Sequence, residues 1–323
     1  MSKRRLQEHG ESANLAVGAT PALPVLPSPR SKGRRAGDEG RSHVTPLPPI
    51  DTLPLYPGER SALLSLLGDL STADWEAPTI CPGWSVKDVA AHLLGDDVGR
   101  LSWGRDGYVN PAFAAGLDIG TLSGLIAAID RQNAVWVAGA RRISRGLLIE
   151  LLAMTGELTE AYFTSLDMTA LGMPVDWAGP EPAPVWLDVA REYTERWVHQ
   201  QHIRDAVGKP GLKERRWFAP VLDAFVRGLP RVLRDAPAPD GAALRLIISG
   251  DVGGEWVALR HNGDWILGTA PRMNVDATVE LDEESAWRLF TKGISKDEAR
   301  RAARIEGDEA LAERALDTVS ILA

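Results

Sequence analysis

The sequence is short of cysteine, of long apolar runs and of net positive charge. Its single cysteine, Cys81, cannot form a disulfide within the chain, so we expect a reducing, cytoplasmic environment. No apolar run approaches the roughly 18 residues of a membrane-spanning helix, so we expect no membrane span. The formal net charge of −8 argues against a nucleic-acid partner, because neutralising phosphates takes clustered lysine and arginine.

The composition that remains is ordinary for a soluble globular protein. Hydrophobic residues make up 44% of the chain and charged residues 25%, and 323 residues are enough for about two domains. The first 52 residues differ from the rest, because they are rich in proline, glycine, serine and basic residues and have no sustained periodicity. We therefore predict a disordered tail over residues 1–52.

The apolar periodicity of residues 53–211 is that of helices. Helices are predicted over Glu59–Leu70, from Ser85 onwards, and over Ser123–Ala140, Gly146–Leu166 and Val185–Ala206. Ser85 and Asp88 have the spacing of a capping box, and the glycines of residues 208–211 are suited to end the last helix. A succession of helices with few strands predicts an antiparallel bundle.

Residues 212–323 change to a mixed pattern. A helix is predicted over Phe218–Leu233, and further helices are predicted over Glu283–Phe290 and Glu309–Thr318. Between them lie β-rich segments with a period of two, at residues 244–248, 256–260, 265–268 and 277–281. Asn262-Gly263 is a hairpin signal between the second and third segments. This part of the chain is predicted to be a separate, small α+β domain.

The helix predicted over Val185–Ala206 carries a stripe of acidic and histidine side chains, because residues three and four apart share a face. The stripe consists of Asp188, Glu192, Glu195, His199 and His202. Glu195 and His199 can point at the same metal ion, and His92 on another helix can complete the site. Two histidines and one glutamate suit Zn²⁺ and leave a fourth position open for catalysis. The alternative interpretation is a solvated, ion-paired helix face.

One motif connects these residues to a known family. The motif consists of Cys81-Pro82-Gly83-Trp84-Ser85, then Asp88 and His92-Leu93. It resembles the signature of the mycothiol-dependent maleylpyruvate isomerase family. The resemblance implies a DinB-like antiparallel four-helix bundle over residues 53–211, with His92, Glu195 and His199 as metal ligands. Residues 279–281, 287–293 and 304–308 resemble the family's sterol-carrier-like α+β domain, which would span residues 212–323.

The resemblance also implies a function. A divalent metal, expected to be zinc, would activate mycothiol or a similar low-molecular-weight thiol. The thiol would attack an electrophilic small molecule, which makes the protein an isomerase or an S-transferase. The alternative function is a non-catalytic protein that binds a small molecule or lipid and keeps the fold.

Four further residues have expected roles. Asp96 would orient the imidazole of His92, and His202 would hold substrate or relay a proton. Arg304 is the first choice for binding an acidic substrate. Cys81 is expected to be a small buried hydrophobic side chain, because it has no second cysteine in a Cys-x-x-Cys motif.

Overall fold

The computed structural model describes residues 44–175, 178–179 and 181–320, without the side chain of Leu122. Most of the predicted tail therefore lies outside the described residues. For residues 44–52 the prediction of disorder is wrong. Val44 and Ile50 are buried, and strand β1 (Thr45–Pro46) pairs antiparallel with residues 268–269. A proline can end such a short strand because an edge position does not need its missing N–H group.

The structure as far as Val207 is mainly helical. Its helices are α1 (Tyr56–Gly68), α2 (Thr72–Trp75), α3 (Val86–Gly99), α4 (Leu122–Ala140), α5 (Arg145–Thr164) and α6 (Val185–Val207). A π-helical turn, Arg100–Arg105, continues α3, and strands β2 (Leu171–Pro174) and β3 (Pro182–Pro184) form a small antiparallel pair before α6. Helix α3 contacts α4, α5 and α6, and α1 contacts α5 and α6.

The remainder of the chain combines helices with a sheet. The elements are α7 (Arg215–Val226), α8 (Leu229–Leu233), β4 (Ala243–Ser249), β5 (Gly254–His261), β6 (Asp264–Thr269), β7 (Ala277–Asp282), α9 (Glu283–Phe290), α10 (Lys296–Ala302), β8 (Arg304–Gly307) and α11 (Glu309–Ala315). The strand order is β1-β6-β5-β4-β7-β8, in which β4 and β7 are parallel and the other neighbours antiparallel. The predicted order, a helical part followed by an α+β part, is confirmed.

The core continues from the helical part into the α+β part. The fully buried indole of Trp197 on α6 stacks on Phe218 of α7, with ring centroids 4.6 Å apart. It also meets Trp287 of α9 edge-on at 5.4 Å. A single hydrophobic cluster thus holds side chains from both sides of residue 211. The domain boundary drawn there from the sequence stays a prediction. Among the helices of the described residues, none has the length and apolarity needed to cross a membrane.

The start of α3 is fixed by the predicted capping box. The hydroxyl of Ser85 accepts a hydrogen bond from the Asp88 amide, and the carboxylate of Asp88 accepts one from the Ser85 amide. Asp88 also binds Arg141 at 2.9 Å. The cap satisfies amides that have no partner within the helix and sets where α3 begins, six residues before His92.

Replacing Ser85 with alanine is expected to lower the free energy of unfolding by about 1 kcal/mol, because the Asp88 amide loses its acceptor. Urea denaturation of the wild type and the variant measures the difference. Ser85→Thr is the matched control, because threonine keeps the hydroxyl. An equal loss in both variants would show that the cap is not the source of the effect.

Candidate metal centre

Helices α3 and α6 place two histidine side chains against each other. The Nε2 atoms of His92 and His199 are 3.2 Å apart, and the rings meet edge-on with centroids 4.5 Å apart. The Oε2 atom of Glu195 lies 3.5 Å from Nε2 of His199. The three predicted ligands therefore lie together and are linked through His199. Their role as metal ligands remains a prediction.

Asp96 lies on the same side of His92 as His199. Its Oδ2 atom is 3.4 Å from Nε2 of His92, the nitrogen that faces His199. Asp96 was expected to orient His92 from outside the ligand group, which would require contact with Nδ1. Its position next to Nε2 instead makes Asp96 a fourth side chain able to reach the centre.

The acidic and histidine stripe of α6 is not a solvated face. The side chains of Glu195 and His199 are only 21% and 12% exposed, and those of Glu192 and His202 are buried. The N-terminal half of the stripe is ion-paired, since Arg100 binds both Asp188 and Glu192. The alternative of a solvent-exposed stripe is therefore wrong, although ion pairing is present within it.

A second group of potential ligands lies beside the first. Cys81, His199 and His202 each offer a ligand atom that lies within 4.8 Å of those of the other two. The Sγ atom of Cys81 is 3.3 Å from Nδ1 of His202. The expectation that Cys81 would be only a hydrophobic side chain is therefore wrong, because its thiol lies within hydrogen-bonding distance of a buried imidazole.

The Cys-Pro-Gly-Trp motif is a tight turn that positions these groups. The amide of Cys81 donates to the hydroxyl of Thr79, and that hydroxyl donates to the carbonyl of Trp84. Gly83 has φ +76°, a backbone conformation that glycine adopts without steric cost. The turn presents Cys81 towards α6 and brings the indole of Trp84 within 5.1 Å of the His92 ring.

Burial decides the charge state of the cluster. It lowers the pKa of His92 to about 4 and that of His202 to about 3, and it also lowers the pKa of His199. Burial raises the pKa of Asp96, with a further contribution from the charge of Glu195, and it raises the pKa of Glu195. The imidazoles are therefore neutral at pH 7, the form that binds metals, and a nearby cation would stabilise the ionised form of the two partly buried carboxyl groups.

The spacing of the donor atoms fits a divalent metal ion. Two nitrogens bound tetrahedrally to zinc at about 2.0–2.1 Å are about 3.3 Å apart, and the Nε2 atoms of His92 and His199 are 3.2 Å apart. Nitrogen and carboxylate oxygen are both ligands that zinc accepts. The Nδ1 atom of His199 is buried and has no hydrogen-bond partner within the described part of the chain. The residues present therefore fit a metal centre.

The α+β part contributes two side chains to which the sequence analysis gave no role at the site. The ring of Trp287 on α9 lies 6.5 Å from that of His202. Next to it, Arg288 donates to Asp205 at 2.7 Å. The pKa of His202 is lowered mainly by burial and by the charge of His199, and the positive charge of Arg288 lowers it further. Arg304, the predicted contact for an acidic substrate, is 72% exposed and binds Glu306 on its own strand. Arg288 is thus better placed than Arg304 to contact an acidic substrate at the histidine cluster.

Residues 56–204 match the family model described as the mycothiol maleylpyruvate isomerase N-terminal domain, a range that includes all the histidines and acidic residues of the cluster and Cys81. Two solved structures are similar to the chain: the crystal structure of the mycothiol-dependent maleylpyruvate isomerase, and that of a histidine-to-alanine mutant of it. Each is 12% identical to this chain, with a TM-score of 0.46, and each match covers 75% of this chain and 88% of the solved chain. No curated protein matches the chain.

Proposed function

The chain belongs, through residues 56–204, to the family of mycothiol maleylpyruvate isomerase N-terminal domains, and from this premise we propose that it is a metal- and thiol-dependent enzyme. Its metal ligands are His92, Glu195 and His199, and the expected metal is zinc. The thiol is mycothiol or a similar small thiol, and the second substrate is an electrophilic small molecule. The observation that supports this most is the 3.2 Å approach of two neutral imidazole nitrogens beside two partly buried carboxyl groups.

The side chains of the cluster have distinct tasks. A divalent cation held there would lower the pKa of a thiol ligand and keep it as the nucleophilic thiolate at neutral pH. His92 and His199 are suited to bind the cation because burial keeps them neutral. Glu195 supplies negative charge, and Asp96 lies where it can do the same. The indoles of Trp84 and Trp287 lie beside the rings of His92 and His202, where they add apolar surface to the site.

Two reaction classes use the same thiolate. Addition to a cis double bond conjugated to a carbonyl group forms a carbon–sulfur bond and moves the π electrons towards the carbonyl oxygen. Rotation about the resulting single bond, followed by loss of the thiolate as the π electrons return, gives the trans isomer and regenerates the thiolate. Attack on an epoxide instead leaves a thiol conjugate, with the proton of the thiol transferred to the opened oxygen. Arg288 is the proposed contact for a carboxylate on the substrate.

The finer description of the fold belongs to the same proposal. Residues 53–211 are assigned to a DinB-like antiparallel four-helix bundle, which is supported by the packing of α3 against α5 and α6 and of α1 against the same two helices. Residues 212–323 are assigned to a sterol-carrier-like α+β domain. The proposed location is the cytoplasm, in keeping with a free cysteine as a working part of the protein.

Thiol-dependent turnover tests the function. We expect the zinc-loaded protein to accelerate the isomerisation of a cis-enedioate, or the conjugation of an epoxide, only when a small thiol is present. Glu195→Gln should lower the rate by at least about 10- to 100-fold, the loss typical of weakened metal binding. Glu150→Gln, at an exposed position on α5, is the matched control.

Turnover that survives complete removal of metal by a chelator would contradict the proposal. A metal-free protein that copurifies with bound lipid and shows no thiol-dependent turnover would favour the non-catalytic lipid-binding alternative.

A further inference from the structure

Cys81 is held in a fixed position next to the histidines of α6. Its amide donates to Thr79 at 3.2 Å, and its carbonyl accepts from the amide of Trp84 at 3.0 Å. The Sγ atom lies 3.3 Å from Nδ1 of His202. Because both the amide and the carbonyl of Cys81 are hydrogen-bonded within the turn, the backbone holds the Cys81 side chain next to α6.

A thiol and two imidazoles are a ligand set that zinc prefers. Cys81, His199 and His202 meet this chemistry, with ligand atoms within 4.8 Å of one another. His202 is buried, and the ring centroid of Trp287 lies 6.5 Å from that of His202. Cys81 is half-buried.

His199 is shared between this group and the ligands proposed above. Its Nε2 atom faces His92 and Glu195. Its ring centroid lies 5.3 Å from that of His202, and the Nδ1 atom has no hydrogen-bond partner among the described residues. The two ligand groups therefore form one continuous cluster. His199 is common to both groups, and its ligand atom in the second group lies within 4.8 Å of the thiol sulfur of Cys81.

Resting on the proposed function, we propose that Cys81 is a ligand of the metal centre while no substrate thiol is bound, and that the incoming thiol displaces it. On binding the metal, Cys81 releases its proton to solvent. On displacement, the incoming thiol loses a proton and Cys81 takes one up, so the exchange is balanced in protons and involves no oxidation. The internal thiolate then keeps the fourth position from water until a thiol arrives. This gives Cys81 a regulatory role at the site.

Cobalt substitution tests this directly, because Co²⁺ reports on its ligands by absorption. Visible d–d bands report that Co²⁺ is bound, and a near-ultraviolet charge-transfer band reports a thiolate ligand. We expect wild-type protein loaded with Co²⁺ in the absence of added thiol to show both. Cys81→Ser should keep the visible bands and lose the near-ultraviolet band, which mercaptoethanol should restore.

The outcomes separate this inference from the function it rests on. Visible bands without a near-ultraviolet band in the wild type would overturn the role of Cys81 and leave the metal centre intact. The absence of all cobalt bands would overturn both proposals.

Alkylation by iodoacetamide gives a second readout that does not need a variant. Cys81 is the single cysteine, so the mass of the intact protein reports its modification alone. We expect zinc to slow the alkylation and a chelator to restore its rate. Equal rates with and without bound zinc would contradict ligation by Cys81.

Discussion

Replacing Asp97 with alanine is expected to lower the free energy of unfolding by about 3–5 kcal/mol. The carboxylate of Asp97 is fully buried on α3 and accepts hydrogen bonds from Arg60 at 2.8 Å and from Arg196 at 2.9 Å. The hydroxyl of Thr155 donates a third bond at 2.8 Å. Alanine would leave two guanidinium groups buried without their shared counter-charge. Denaturation by urea, followed by circular dichroism, measures the loss.

The dependence of this loss on pH follows from the pKa of Asp97. Burial by itself raises that pKa, but the charges of Arg60 and Arg196 hold it below its usual value. A lowered pKa in the folded state contributes stability that is complete above the unfolded value of about 3.9 and is lost as the pH falls through the folded value. The difference between wild type and Asp97→Ala should therefore stay constant from about pH 7 to pH 5 and shrink below about pH 4.

A matched control isolates the effect of burial. Asp130 is an exposed aspartate on α4, and Asp130→Ala should change the free energy of unfolding by no more than about 0.5 kcal/mol. If Asp97→Ala were as harmless as the control, the buried ion pairs would not be what holds these helices together.

The ion pairs of Asp97 matter for the site because of where they lie. Arg60 belongs to α1 and Arg196 to α6, so Asp97 ties α3 to both helices. The next residue towards the N-terminus, Asp96, faces the histidine cluster. The same segment of α3 therefore carries both Asp97 and a side chain of the site. The ion pairs of Asp97 hold α3 against α6 and so help to fix the distance between His92 and His199.

Features of the fold that depend on neighbouring residues were predictable from the sequence. The capping box of Ser85 and Asp88 marks the start of α3, and Gly208, at φ +64°, ends α6 one residue beyond the predicted limit. The hairpin signal of Asn262-Gly263 is confirmed, since both residues have positive φ and join β5 to β6. In each case the conformation is set within a few residues of the signal.

Elements without an apolar pattern were missed. Strand β8 (Arg304–Gly307) is mostly exposed, and it forms by pairing with β7 rather than by burying a face of its own. Helix α10 (Lys296–Ala302) is highly charged and buries Ala299. The pairing of Thr45–Pro46 with β6 was hidden by the proline-rich composition of the segment around it.

In the candidate site, too, the features set by neighbouring residues were predictable and those set by tertiary contacts were not. The spacing of Glu195 and His199 placed them on one face of a helix, His92 was proposed from a second helix, and the resemblance to a family supported all three as ligands. No local signal shows that α9 packs against α6, so Arg288 could not be preferred to Arg304. The approach of Cys81 to His202, 121 residues along the chain, is likewise a tertiary contact.

The metal content of wild-type protein and His199→Ala is the most direct test of the central claim. His199 belongs to both ligand groups, so its loss weakens the centre whichever group holds the ion. Circular dichroism would confirm that the variant is folded, and His261→Ala, at an exposed position beside the hairpin turn, is the control. After loading with zinc and removal of unbound metal, we expect about one zinc per chain in wild type and His261→Ala and none in folded His199→Ala, as for a centre built on few protein ligands. No zinc in the wild type, or as much zinc in His199→Ala as in the wild type, would contradict the account.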